Sequence, residues 1–235
     1  MATRHALVSA SILDSDLADL RRECRIALKA GSDRIHFDVM DGHFVPNLSF
    51  GPDLARLVKR LSPLLVDVHL MVTNPATVAP WFLKAGADRV IFHWEACGGA
   101  SAKEEALALL RRLRGQGVQA GVAVKPGTPA EEILPLLAEA DVALIMTVDP
   151  GFGGAGFLGE TLSKIAAVRR ALDKQDLTCR LQVDGGINLE TVEAAAGAGA
   201  EVLIAGHGVF GTPDPAGTIR TLRAKAQAAY SGRVG

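Results

Sequence analysis

Two histidines and two aspartates stand at the ends of short apolar runs, spaced for chemistry. In IHFDVMDGHFVPN, His36 and Asp38 are two residues apart, so on an extended strand they project to one side, and Met40 continues the row. In VDVHLM, Asp67, His69 and Met71 share a face in the same way. LQVDGGIN leaves Asp184 at a third strand tip, ahead of two glycines. His36, Asp38, His69 and Asp184 form a mixed nitrogen and oxygen set suited to one divalent metal ion: Zn²⁺, Mn²⁺ or Fe²⁺, with Co²⁺ and Mg²⁺ also compatible. A single such histidine is ordinarily a packed or hydrogen-bonded residue. Two of them with two carboxylates, all at strand ends, point to a metal centre. Asp67 faces the same way but lies deeper, and reads as the partner that orients His69.

A second group of residues suits an anion. DPGFGGAGF carries Gly151, Gly153, Gly154 and Gly156 ahead of a helix, Asp184 is followed by Gly185 and Gly186, and Ala205-Gly206-His207-Gly208 closes another strand. Glycines let backbone N–H groups approach an anion closely, and a helix N-terminus adds partial positive charge. Tight turns alone explain one such loop, but three consecutive loops point to a phosphorylated small molecule.

Other polar residues at strand ends leave two readings open. Met40, Met71 and Met146 are core filler or a deformable apolar collar around reacting carbons. Ser11 binds a substrate hydroxyl or begins a turn. Lys125 is a Schiff-base nucleophile or a solvated charge. His93 and Glu95 are site residues or structural hydrogen-bond partners. His5 and His43 read as surface or structural residues.

The elements that must position these residues follow a βα rhythm. Strand-like runs lie at 5–10, 34–39, 64–70, 89–93, 118–124, 142–148, 179–184 and 201–205, and segments of helical period lie near 16–30, 52–61, 75–85, 101–114, 129–138, 157–174, 189–197 and 215–229. Gly31, Gly86, Gly117 and Gly199 follow helices as left-handed caps require. Eight such pairs in 235 residues predict an α/β fold, a single (β/α)₈ TIM barrel over residues 1–235, with a doubly wound open sheet as the alternative. In a barrel the second and third strands are neighbours and the seventh lies across the axis, so the four ligands converge on one mouth.

Composition excludes several classes of partner. Lys+Arg 25 against Asp+Glu 26 gives a net charge of -1, with no basic footprint for nucleic acid or an anionic membrane. No apolar run is long enough to span a bilayer, and the start, MATRHALVSA, has no signal-peptide core. Cys24, Cys97 and Cys179 are odd in number and widely spaced, which fits buried thiols in a reducing compartment. The expectation is a cytoplasmic protein.

The segments SASIL, HFDVMDGHFVPNLSFGP, DVHLMVTNP, VDPGFGG, QVDGGIN and AGHGVFG together resemble the ribulose-phosphate 3-epimerase family, from about Ser11 to Phe210. The resemblance implies a ribulose-phosphate-binding TIM barrel that interconverts D-ribulose 5-phosphate and D-xylulose 5-phosphate with a divalent metal. Carried over by motif, His36, Asp38, His69 and Asp184 hold the ion, and Asp38 and Asp184 are the paired acid and base. Ser11, His69 and the methionines Met40, Met71 and Met146 line the sugar, and Gly153, Gly154, Gly185, Gly186 and Gly206 line the phosphate. The family also implies a homo-oligomer, dimer or hexamer. The chemistry agrees: inverting a carbon beside a carbonyl takes a proton from one face and returns one to the other, through an enediolate that a Lewis acid stabilises. The sequence departs from the family at His207, where a small hydroxyl is common and an imidazole now meets the phosphate, and at Asp149 and Ala155 around the glycine loop. Three other readings compete: a 3-epimerase of another ketose phosphate such as a ketohexose 6-phosphate, a Schiff-base aldolase through Lys125, and a non-catalytic phosphate-binding barrel. The Asp-x-Lys-x-x-Asp strand end of related decarboxylases and synthases is absent, since Asp38-Val39-Met40-Asp41 has no lysine.

Overall fold

The computed structural model describes residues 5–98 and 101–232; residues 1–4, 99–100 and 233–235 lie outside the described residues, and with them both ends of the expected 1–235 domain. Eight parallel strands close into a barrel in chain order. They are β1 (Leu7–Ser11), β2 (Arg34–Met40), β3 (Leu65–Met71), β4 (Arg89–His93), β5 (Gln119–Val124), β6 (Val142–Met146), β7 (Arg180–Asp184) and β8 (Val202–Ala205). Each boundary falls within two residues of the apolar run that predicts it. The open-sheet alternative is excluded, because β1 pairs with both β2 and β8.

Around the barrel lie the α-helices α1 (Leu20–Ala30), α2 (Pro52–Leu61), α3 (Pro75–Ala85), α4 (Ala102–Gly115), α5 (Thr161–Lys174), α6 (Val192–Ala198), α7 (His207–Phe210) and α8 (Pro215–Ser231). The expected helix at 129–138 is instead a pair of 3₁₀ turns, Ala130–Glu132 and Leu134–Leu136. Pro135 has no N–H to give to a carbonyl one turn back, which interrupts an α ladder there. The segment 157–174 becomes helical only at Thr161, because Leu158 gives its N–H to the Thr147 carbonyl and stays with the loop. At 189–197 the start shifts to Val192, since the Asn188 side chain takes the N–H groups of Glu190 and Thr191 in a turn. The short α7 was not expected from the sequence.

The layer between helices and sheet is apolar, built on side chains such as Phe37, Phe82 and Leu110. The barrel interior is divided. Ile91, Ala123, Val142, Leu144, Met146 and Ile204 fill one half. Strands β2, β3 and β7 send His36, Asp38, Asp67, His69, Gln182 and Asp184 into the other. Register explains the grouping: Asp38 pairs with His69, His36 with Asp67 and Met40 with Met71 across β2–β3, and Ser11 with His36 across β1–β2. Below them, at the strand starts, Arg89 faces Asp67 at 3.6 Å and gives a hydrogen bond to Gln182, which donates in turn to Asp67 at 2.9 Å. The polar half of the barrel is thus a column of charge that ends in the predicted ligands.

Candidate metal centre and anion cradle

One atom from each predicted ligand faces a common point, and all four lie within 4.8 Å of one another. His36 Nε2 stands 3.3 Å from Asp38 Oδ1, 3.6 Å from Asp184 Oδ2 and 3.4 Å from His69 Nδ1. His69 Nδ1 is 3.1 Å from Asp38 Oδ1 and 3.4 Å from Asp184 Oδ2. Ligands about 2.1 Å from a tetrahedral ion are separated by roughly 3.4 Å, so these separations match a first coordination sphere. Both histidines are fully buried and Asp38 nearly so.

The protons around the cluster support the same reading. Burial pushes His93 down to about 4, so its ring is neutral at pH 7. Burial opposes ionisation of Glu95, but hydrogen bonds from His93, Thr128 and the Lys125 amide outweigh it and hold the carboxyl at about 2. A neutral ring beside an ionised acid gives its Nδ1–H to Glu95 Oε2, 3.0 Å away, and keeps a lone pair on Nε2. That lone pair takes the Nε2–H of His69 at 2.9 Å, which leaves His69 Nδ1 bare toward the cluster. With Asp67 held ionised by Arg89 and its neighbours despite its burial, the Nδ1 edge of His36 faces a carboxylate at 3.6 Å and its Nε2 turns inward. Four electron-pair donors then face one another with no hydrogen between them, an arrangement that fits a cation at its centre.

Without that cation, a proton must serve. Burial alone would lower the His36 pKa, but Asp38, Asp184 and Asp67 outweigh it and hold the ring well above its ordinary value. His69 is raised for the same reason, through Asp184 and Asp38. Asp38 is correspondingly held far below the usual carboxylate range by His36 and His69, against the cost of its burial.

Asp67 requires a correction. It was expected to orient His69, yet it faces His36 and is bound to Gln182. Residues i and i+2 of one strand lie nearly 7 Å apart, whereas register partners lie about 5 Å apart, so Asp67 meets the side chain paired to it across the sheet. The partner of His69 is His93, whose open reading resolves into this relay. The Ser11 hydroxyl gives its hydrogen to Asp38 Oδ2 at 2.8 Å, leaving Oδ1 for the cluster.

Above the cluster is a cavity of about 400 Å³, within the usual range for small-molecule sites. Asp38 and Asp184 open onto it, as do Ser11, Met40, Met71, Met146, Gly153, Gly154, Gly185, Gly186, Gly206 and His207; His36 and His69 lie beneath. Met40 and Met71 pack with Val45, Leu13 and Phe44 as an apolar wall. Asp41 pins that wall by taking the N–H groups of His43, Phe44 and Thr73. Gly186 is required sterically: it has φ +65°, and a Cβ there would press on the Phe157 backbone at 2.6 Å. Lys125 is not among the lining residues; its Nζ sits 3.9 Å from the centre of the Phe44 ring and faces the Phe44 carbonyl, which removes the nucleophile from the aldolase reading. His5 and His43 are exposed, and the three cysteines are buried and form no disulfide among the described residues.

Residues 7–210 match the model of the Ribulose-phosphate 3 epimerase family. The chain belongs to that family. It is 43% identical to the ribulose-phosphate 3-epimerase of Mycobacterium bovis, over 97% of this chain and 96% of the relative. It is 38% identical to the cytoplasmic isoform of ribulose-phosphate 3-epimerase from Oryza sativa, over 94% and 95%. Among solved structures, 3-keto-L-gulonate-6-phosphate decarboxylase from Vibrio cholerae superposes with a TM-score of 0.71 at 15% identity, covering 96% of this chain and 99% of that one. That likeness shows the barrel alone.

For this member of the epimerase family, two features of the site escaped the sequence reading. The His69–His93–Glu95 relay crosses from β3 to the turn after β4, and its only trace in the sequence is a histidine and a glutamate at a strand end. Asp14, just past β1, also lines the cavity. No residue type or spacing marked it, since an acid is not expected in a wall read as an anion site. No helix among the described residues is long and apolar enough to cross a membrane.

Proposed function

We propose that the protein is a metal-dependent isomerase that interconverts D-ribulose 5-phosphate and D-xylulose 5-phosphate by inversion at carbon 3. The observation that carries this reading is the meeting of Asp38 and Asp184 at one cation-shaped cluster on the cavity floor, in a chain of this family. His36, Asp38, His69 and Asp184 hold the ion, and their donor set accepts zinc, manganese or ferrous iron. When bound, the ion supplies Lewis acidity toward the ketose oxygens.

The chain's own groups do the rest. One carboxylate removes the carbon 3 proton and the other returns a proton to the opposite face, with an enediolate between the two transfers. Ser11, by donating to Asp38 Oδ2, fixes the tilt of that carboxylate beside the sugar. Met40, Met71 and Met146 cover the reacting carbons and exclude water. Gly153, Gly154, Gly185, Gly186, Gly206 and His207 surround the phosphate at the other end of the cavity. The cytoplasm is the proposed location, supported by the name of the rice relative.

Proton NMR in heavy water tests the reading. With D-ribulose 5-phosphate and protein loaded with zinc, manganese or ferrous iron, deuterium enters at carbon 3 as D-xylulose 5-phosphate forms. Exchange without that epimer points to a different ketose phosphate, and neither signal with any ion overturns the proposal.

The relay carries its own prediction. In His93→Leu the volume is nearly kept but the acceptor for His69 Nε2–H is lost. Loss of such a partner commonly costs about 10–100-fold in metal affinity. Competition against a chromophoric chelator reads that loss directly, and an unchanged dissociation constant would assign His93 to packing.

A further inference from the structure

The phosphate end of the cavity contains a carboxylate. Asp14 ends the 3₁₀ turn Ile12–Asp14 after β1 and is half-buried in the cavity wall. Its side chain lies against the backbone of Gly153, where a Cβ would overlap both carboxylate oxygens. On the opposite loop, Asp14 Oδ2 is 3.1 Å from the position a Cβ on Gly206 would take. The acid therefore spans the space between the loops after β6 and β8, which the bare glycines leave open. Burial raises the pKa of its carboxyl above the ordinary value, the more distant Asp38 and Asp184 add to this, and the ring and backbone N–H of His207 offset it only in part.

A carboxylate takes hydrogen bonds from backbone N–H groups as a phosphate oxygen does. Placed here, it fills space between Gly153 and Gly206 that an arriving phosphate needs. It also opposes a second anion a few ångströms away, an effect that survives at the effective dielectric of a protein surface. We propose that Asp14 is a selectivity gate for the phosphate cradle, occupying the space between its loops until a ligand anchored at both ends of the cavity displaces the carboxylate. This rests on the reading of these loops as the phosphate site. Inorganic phosphate has only the cradle to bind and is excluded, whereas a ketose phosphate also engages the floor of the cavity and enters. The gate thus keeps the site open to substrate in the presence of abundant free phosphate.

The test uses the full chain loaded with its metal and measures inhibition constants for inorganic phosphate and for unphosphorylated D-xylulose against the ketose phosphate. In Asp14→Asn and Asp14→Ser, phosphate inhibits about tenfold more tightly because the like charge is gone. Inhibition by the neutral sugar stays the same, and the ratio of the phosphate inhibition constant to KM narrows. Thermal melting of both variants verifies that they fold. If phosphate competes with the wild-type protein and the variants leave its constant unchanged or weaken it, Asp14 shapes the loops and the gate is overturned while the cradle stands. If phosphate competes with neither wild type nor variants, the cradle reading falls and the gate falls with it.

Discussion

Asp184→Asn lowers epimer interconversion by roughly 10³–10⁴, the upper part of the range for a positioned acid or base. Asparagine keeps the shape and one oxygen toward His36 and His69, so the cluster loses a charge and a base but little volume. The side chain of Asp184 is 14% exposed against 5% for Asp38, so it is the carboxylate more open to the cavity. The two half-reactions separate in this variant. The carboxylate that remains, Asp38, still takes the proton from whichever epimer presents it, so that epimer exchanges carbon 3 hydrogen with heavy water without inverting. The other epimer is inert. Proton NMR started from each pure epimer distinguishes them, and metal content measured alongside separates a lost base from a lost ion. Interconversion within tenfold of the wild-type rate would remove Asp184 from the proton path.

How much of this was legible beforehand depends on the range of each interaction. Periodicity of two along β2 and β3 put His36 with Asp38 and Asp67 with His69, because alternation is a local property of an extended chain. Which of these meets which is a matter of register, and register is set by pairing between strands. The sequence reading therefore grouped the four residues that the structure brings together and mispaired Asp67. The same limit hid the relay: His69, His93 and Glu95 are joined only when β3 and β4 lie side by side. At 129–138 the failure is of another kind. The apolar spacing there was right for a helix, and Pro135 was visible, yet period was allowed to outweigh the missing N–H. Asp14 was hidden because its meaning depends on Gly153 and Gly206, which are distant in the chain and adjacent only at the barrel mouth.

Removing the metal reverses the way stability depends on pH. In the metal-free protein the folded-state pKa of His36 is raised above its unfolded value near 6.5 by Asp38, Asp184 and Asp67, which overcome its burial. The resulting stabilisation is fully present below the unfolded pKa and is lost as pH rises through the folded one. His69 contributes with the same sign. Asp38 has the opposite sign, but its depressed pKa confines its effect to acid, well outside this window. The metal-free barrel therefore melts at lower temperature as pH rises from 6 to 9. The ion needs both rings deprotonated, so its affinity increases over the same range. At a free ion concentration about 100-fold above the dissociation constant the stabilisation is about 2.7 kcal/mol, which for a chain of this size is roughly 5–10 °C in Tm. The gap between loaded and chelator-treated protein consequently widens with pH, and scanning calorimetry at pH 6, 7.5 and 9 measures it. A gap that is constant, or that closes toward pH 9, would mean that protons and metal do not share the lone pairs of His36 and His69. The four-residue cluster would then have to be assigned a structural role.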